Sequence, residues 1–381
     1  MTNSQTTKKK STKCAVTYNT AFKTAVKRVD SVFMGLGVPT ALHYCVQKAG
    51  ISTMTIGTMG TGKGVIKKLL VPADAFSIDL DSVTKTDLAE KFGEVKDMKL
   101  HVNIEEMASL SEYQKGIVTE VLAKVITDMN YQSVASKINI INCEMTMYCG
   151  IQPKTMSQMI AQSPTWESLA DDRYLKIMLV NGLRNDDIEH HKISKEWYAE
   201  SHQIFNDLFR IPLDSVKVDP EALNMIHRLL MNQISGNRVR NYSRNILKAW
   251  ASMNNKKTAT VALAELFIKL FGFYFMMFDT FTVREDIGTN LKFKGSLTTA
   301  FMGIACNYRF NFTKSDYVTM FRVDESVFRK HTEQLLEMQL IEIIKVPVVT
   351  PAGNRSSKGY ILGGKVSEFF AYYAKTFGYK V

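Results

Sequence analysis

Residues 54–64 read Met54-Thr-Ile-Gly57-Thr-Met-Gly60-Thr-Gly62-Lys63-Gly64, a short apolar strand running into a glycine-rich turn that ends on a lysine. The next stretch, Val65–Leu70, has helical character. Strand, loop and helix in this order match G-x-x-x-x-G-K. The glycines let backbone N–H groups turn inward, and the start of the following helix adds positive potential, so the loop is shaped for phosphate oxygens. Gly57, Thr58, Met59, Gly60, Thr61, Gly62, Lys63 and Gly64 are therefore the candidate residues for binding ATP, with Lys63 reaching the β- and γ-phosphates as a point charge. The position after the lysine, where a hydroxyl would hold Mg2+, is Gly64. Thr58, Thr61 or a water is left to substitute, so the sequence supports nucleotide binding before it supports hydrolysis. The alternative is a glycine-rich turn with a chance lysine.

Working outward, Ala75–Leu80, Leu100–Ile104 and Ile138–Cys143 are further strand candidates separated by helical stretches, a spacing that predicts a parallel sheet in an α/β core. Leu100–Ile104 ends in Glu105-Glu106. A P-loop core needs an acid on a strand beside the P-loop strand to hold the metal's water shell, and a second acid to polarise the attacking water. Glu105 is the candidate metal residue and Glu106 the candidate base; a solvated strand end is the other reading. Asn142 closes the next strand candidate, where an amide could orient that water. Arg173, in Asp172-Arg-Tyr-Leu175, and Arg238, ahead of the helix Tyr242–Met253, are candidates for charge near a γ-phosphate, Arg173 from a neighbouring subunit. Pairing with surface acids is the ordinary fate of such arginines.

The net charge of +11 is uneven. Residues 1–50 carry eight Lys/Arg against one acid, and residues 281–381 fourteen against nine, leaving a near-neutral middle. Basic ends flanking a neutral body suggest polyanion-binding appendages, or solubility alone. The five cysteines are scattered without a C-x-x-C pair, which predicts reduced thiols in the cytoplasm; His190-His191 lacks the partners of a metal site. The N-terminus has no apolar core of a signal peptide. Val261–Phe281 is apolar but interrupted by Glu265, Lys269, Gly272 and Asp279, and reads as a buried helix pair, with no membrane partner. Near the C-terminus a helix over Thr313–Phe321, a turn, a second helix Glu325–Gln339, a strand Leu340–Val349, a loop Thr350–Gly359 and a strand Tyr360–Leu362 follow the winged-helix order. On that reading Arg329 and Lys330 face DNA from the second helix, and Arg355 and Lys358 reach phosphates from the loop. A protein-binding winged helix is the competing reading.

The order of P-loop, acid-ended strand, Asn-ended strand, Asp172-Arg-Tyr-Leu175 and the arginine-led helix Gly236-Asn-Arg-Val-Arg240 resembles AAA+ ATPases over residues 50–255. It is most similar to minichromosome-maintenance helicases and their phage, plasmid or archaeal-virus relatives, with origin-recognition initiators close behind. The resemblance implies an ASCE-type α/β P-loop core over 51–185, a helical lid over 186–280 and a winged-helix domain over 281–381, after a basic lead-in over 1–50. It also implies Mg2+ and ATP as cofactors, DNA as partner and a homo-oligomer such as a hexameric ring. Arg173 looks like the trans-acting arginine of that family and Arg238 like its lid arginine. The chain departs from the pattern at Gly64 and Glu105, and helicase hairpin inserts are not evident. A DNA-remodelling motor or loader and a non-hydrolysing, nucleotide-switched DNA regulator both stay open.

Overall fold

The computed structural model describes residues 17–70, 76–80, 90–116, 121–133, 137–162, 173–183, 193–234, 236–285, 290–306, 311–350 and 353–379. His190-His191 and most of the basic N-terminal tail lie outside these residues. Two helices, α1 (Thr20–Asp30) and α2 (Gly37–Lys48), precede the P-loop strand β1 (Ser52–Ile56) and the helix α3 (Lys63–Leu69). Strands β2 (Phe76–Asp79), β3 (Lys99–Ile104), β4 (Glu144–Ile151) and β5 (Tyr174–Met178) complete a five-stranded parallel sheet ordered β2-β3-β4-β1-β5. All of β1 is buried, as expected of a central strand covered on both faces.

Two expectations are corrected here. The acid-ended strand β3 is not beside β1, because β4 lies between them. And β4 is not Ile138–Ile141: that segment joins Val95–Lys96 and Tyr131–Ser133 in a separate three-stranded sheet. The reason is visible in the burial patterns. Ile138–Ile141 alternates buried and half-buried residues, which suits a small sheet with one face open. Met147–Ile151 is buried without a break, which suits a strand enclosed on both faces. Between the two runs Asn142 takes a left-handed φ of 52°, turning the chain from one sheet into the other.

The helix α4 (Pro153–Gln162) follows β4, and α5 (Lys195–Asn206), α6 (Pro220–Leu230) and α7 (Gly236–Met253) follow β5. Val261–Thr280 is one helix, α8, not a pair. It is long and apolar enough to cross a membrane, yet it packs against β5, α6 and α2 with Phe267, Phe271 and Phe275 fully buried. Glu265 and Lys269 are exposed and Asp279 half-buried along one face of the helix, so they do not interrupt it.

The C-terminal residues form α9 (Gly295–Ala305), α10 (Lys314–Phe321), α11 (Glu325–Glu337), the antiparallel hairpin β6 (Ile341–Thr350) and β7 (Gly353–Leu362), and α12 (Gly364–Phe377). Phe312 bridges to Tyr360 as a third, single-residue strand. The expected loop Thr350–Gly359 is mostly strand: the ladder runs from Ile341↔Leu362 to Thr350↔Gly353. This region is keyed into the core. Ser157 Oγ donates to the Phe293 carbonyl at 2.9 Å, and a Cβ on Gly295 would lie 2.4 Å from the Pro153 carbonyl oxygen. At its far end α12 stacks Phe369 on Phe273, and the Tyr373 and Tyr379 hydroxyls donate to the buried Asp30 carboxylate.

Candidate functional site

The loop after β1 sits at the carboxyl end of the sheet, where parallel strands leave open space. Gly60 and Gly62 adopt φ of 74° and 96°, and a Cβ on Gly62 would also run into the Leu36 side chain. Position 62 therefore needs glycine twice over. Thr61 Oγ1 donates to the Thr58 carbonyl and stays within the loop, while Met59 is 83% exposed at its tip. A cavity of about 790 Å³ opens over the loop. It is bounded by Thr58–Val65, by Glu105, Glu106, Gln152 and Asn181, and on an apolar wall by Val32, Phe33, Met34 and Leu36 from the segment between α1 and α2. Asn181 ties that wall down by donating to the Met34 carbonyl at 2.9 Å.

Lys63 is buried at the head of α3. Its ammonium donates to the carbonyls of Gly57 (2.6 Å) and Thr58 (3.0 Å) and lies 3.3 Å from Glu106. Burial pushes its pKa below the ordinary lysine value, and Glu106, then Glu105, hold it up. Tyr148, on β4, donates from its hydroxyl to the Lys63 carbonyl at 2.8 Å and so fixes the start of α3. Glu106 is itself positioned: its carboxylate accepts from the Gln152 N–H at 3.2 Å and caps Ala108.

Glu105 is placed by a close approach. A Cβ on Gly150 would lie 2.1 Å from the Glu105 carbonyl oxygen, and a Cβ on Gly64 would lie 2.6 Å from its Oε1. Its Oε2 is 3.4 Å from the ammonium of Lys67, which also pairs with Asp79 at 2.8 Å. Among the described residues no group of three or more His, Cys, Asp or Glu is gathered around a metal position. Gly64 supplies no side-chain oxygen, Glu105 takes up the space beside it, and Glu105 and Asp79 share the ammonium of Lys67, which balances only one of their two charges. Glu105, expected as the metal residue, borders the cavity beside Gly64 and pairs with Lys67.

Asn142 is also corrected. Its side chain donates to Asp97 at 2.6 Å in the small sheet, and it does not border the cavity. The residue at the end of the strand beside β1 is Gln152, and it borders the cavity where Asn142 was expected. Arg173 and Arg238 do not line this chain's own cavity either. Arg173 precedes β5, which runs parallel to β1, so it lies at the opposite edge of the sheet from the loop, roughly 16 Å along the strand. Its Nε donates to Thr127, and the Tyr242 hydroxyl donates to its carbonyl. Arg238 is one helical turn before Tyr242 and belongs to the same edge. No described residue of 193–280, within the expected lid, borders the cavity, whose apolar wall is Val32–Leu36.

In the C-terminal region Arg329 and Lys330 are exposed in the first half of α11, and Glu333 and Glu337 are exposed further along it. Lys358 lies within β7 and pairs across the ladder with Lys345; both are exposed. Arg355 pairs with Val348. Residues missed from sequence are Lys67, Gln152, Asp79, Asn181 and the Val32–Leu36 wall. Lys67 carried a usable signal, since it stands four residues after Lys63 and so on the same face of a helix.

No family model and no curated protein matches this chain. Among solved structures it is similar to a candidate ATPase from Cytophaga hutchinsonii, with 13% identity and a TM-score of 0.37 over 65% of this chain and 84% of the other. It is also similar to a full-length MCM homologue from Methanopyrus kandleri, with 13% identity and a TM-score of 0.39 over 68% of this chain and 58% of the other. Likenesses this distant carry no weight beside the geometry of the loop, the two lysines and the three carboxylates.

Proposed function

We propose that the chain is an ATP-binding P-loop protein of the AAA+ kind that works on DNA. The observation that carries the nucleotide part is Lys63, buried at the head of α3 and facing a cavity large enough for a nucleotide. Its ammonium rests on the loop's own carbonyls and on Glu106. A triphosphate would replace those carbonyls with phosphate oxygens, the loop N–H groups would turn onto the phosphates, and Val32, Phe33 and Met34 would offer an apolar face for the base. Glu106, oriented by the Gln152 N–H, is the group placed to accept a proton from water beside the phosphates. Arg173 and Arg238, at the far edge of the sheet, would act only on the site of a neighbouring subunit in a ring.

For DNA the support is the C-terminal order of helix, bridge, two helices and hairpin, a winged-helix arrangement. Its basic residues are Lys345 and Lys358 on the hairpin and Arg329 and Lys330 on α11. A second reading, a nucleotide-gated DNA regulator that does not hydrolyse, is favoured by Gly64 and by the engagement of Glu105 with Lys67. Phosphate release from ATP, with and without DNA, separates the two. The nucleotide reading itself is tested by calorimetry on Lys63→Ala. Losing a cation beside the triphosphate should weaken ATP binding by about 2 kcal/mol. Unchanged affinity would remove the P-loop assignment.

A further inference from the structure

We propose that Tyr373 and Tyr379, at the end of α12, position the apolar wall of the nucleotide cavity, so that the C-terminal region takes part in binding the base. The inference rests on the nucleotide reading above and concerns what holds that wall in place. Val32, Phe33, Met34 and Leu36 border the cavity from the turn between α1 and α2. The backbone of this turn is held from two sides. On one side is Asp30, the last residue of α1, whose buried carboxylate accepts from the N–H groups of Gly35 and Gly37 and so spans the turn. The Tyr373 hydroxyl lies 2.9 and 2.8 Å from its two oxygens, and Tyr379 donates to one of them at 2.7 Å. Tyr373 also accepts from the Val38 N–H, in the first turn of α2, at 3.1 Å. On the other side Asn181 donates to the Met34 carbonyl at 2.9 Å, and the next residue, Gly182, lies so close to the Phe370 ring of α12 that a Cβ would have no room. Both supports therefore lean on one helix. Phe33 packs edge-on against Trp197 of α5, a contact of its ring and not of the turn's backbone. A buried carboxylate keeps its place only with its donors, because oxygens left without them bear the cost of desolvation. Loosening the end of α12 would free the turn and the face it offers to the base. The phosphate loop keeps its own bonds, from Thr61 and Lys63 to the Thr58 carbonyl and from Tyr148 to the Lys63 carbonyl. Only Gly363 separates β7 from α12, so this brace belongs to the C-terminal region.

The test uses the full chain, titrated by calorimetry with two probes. Adenylyl imidodiphosphate carries a base and is not cleaved; inorganic tripolyphosphate has the phosphates alone. Tyr373→Phe combined with Tyr379→Phe removes both hydroxyls and keeps both rings. It should weaken the first probe by more than about fivefold and the second by less than about twofold. A merely structural role would weaken both alike, and that result, or no change in either, overturns the inference. So does a parent that binds adenylyl imidodiphosphate no tighter than tripolyphosphate, because the wall then holds no base, while the phosphate loop keeps its assignment. Amide hydrogen exchange in the parent gives a second measurement. Exchange in α12 should slow by more than about threefold with adenylyl imidodiphosphate and by less than about twofold with tripolyphosphate. The same exchange with both probes overturns the inference, and this measurement decides alone if the double variant does not fold. Absence of binding of either probe sinks the nucleotide reading, and this inference with it.

Discussion

Lys63 and Lys67, at the carboxyl end of the sheet, are 8% and 10% exposed, and each touches a carboxylate. Lys345 and Lys358, on the C-terminal hairpin, stand exposed and opposite one another. The first pair costs the fold desolvation, offset by Glu106, Glu105 and Asp79, and Gly64 and Gly150 leave the room that Glu105 occupies. The second pair costs almost nothing, repels weakly across the ladder, and is screened by salt. Charge held inside a fold is therefore felt in stability and in site geometry, whereas charge held outside is felt in association. Mutations at the two places should differ in size and in what they change.

The largest effect is expected where backbone meets the buried site. A methyl group on Gly150 would lie 2.1 Å from the Glu105 carbonyl oxygen and 3.4 Å from the Lys63 side chain. Backbone cannot give way as a side-chain tip can, so β3 and β4 must separate at the end that carries Glu105 and Glu106. Gly150→Ala should lower stability by about 3 kcal/mol, read from urea unfolding, and abolish nucleotide binding. A stability loss below about 1 kcal/mol would mean that this approach is not held as tightly as the glycine implies.

Which parts of this arrangement could be read from sequence follows from distance along the chain. The loop 57–64 is a local signal, and it lies between a strand and a helix as its glycines and lysine require. Glu105 and Glu106 follow a strand for the same local reason. What a single sequence hides is which strand neighbours which. Ile138–Ile141 and Glu144–Ile151 are both apolar runs ending near a polar amide, and only the enclosure of the second by β1 and β3 decides that Gln152 borders the cavity rather than Asn142. A longer unbroken run just before Pro153 was the available hint. The hairpin was hidden differently. Asn354–Lys358 looks like loop by composition, with Asn, Arg, two serines and Lys, and it becomes strand because β6 supplies a continuous partner from Ile341 onward.

A smaller effect, still from buried charge, is pH dependence. His43 donates from Nδ1 to the Pro39 carbonyl and meets the Thr55 hydroxyl with Nε2, and His101 sits among Asn103, Thr146 and Gln47. Burial pushes both pKa values from 6.5 down to about 4. Their contribution to stability is present above pH 6.5 and is lost as pH falls towards 4. Asp30 works the other way: burial pushes its carboxyl from 3.8 up to about 6, against the pull of the Gly37 N–H and the two tyrosine hydroxyls. Its contribution is full below pH 3.8 and is lost as pH rises through 6. Between pH 7 and pH 5 the two histidines outweigh the one carboxyl, and the chain should lose about 2 kcal/mol of stability. In Asp30→Asn the loss over the same interval should be larger by about 1 kcal/mol, because the opposing group is gone. Urea midpoints at the two pH values measure both; stability that holds or rises on acidification would contradict the burial of these histidines as neutral groups.

The smallest effects per residue belong to the hairpin, and there the ladder register makes the expectation specific. The residue that shares a face with Lys358 is its cross-strand partner Lys345. If this face meets duplex DNA, each lysine that neutralises a phosphate adds roughly 0.9 to the slope of log affinity against log salt. Lys345→Ala with Lys358→Ala should then flatten the slope of the full chain by up to about 2, weaken binding alike across sequences, and leave urea stability unchanged within about 0.5 kcal/mol. The salt titration compares the parent with the double variant, and coinciding slopes would show that this face does not contact DNA. A parent slope near zero would remove DNA from this surface and favour a protein partner for the hairpin and α11, whose exposed side carries Glu333 and Glu337 after Arg329 and Lys330.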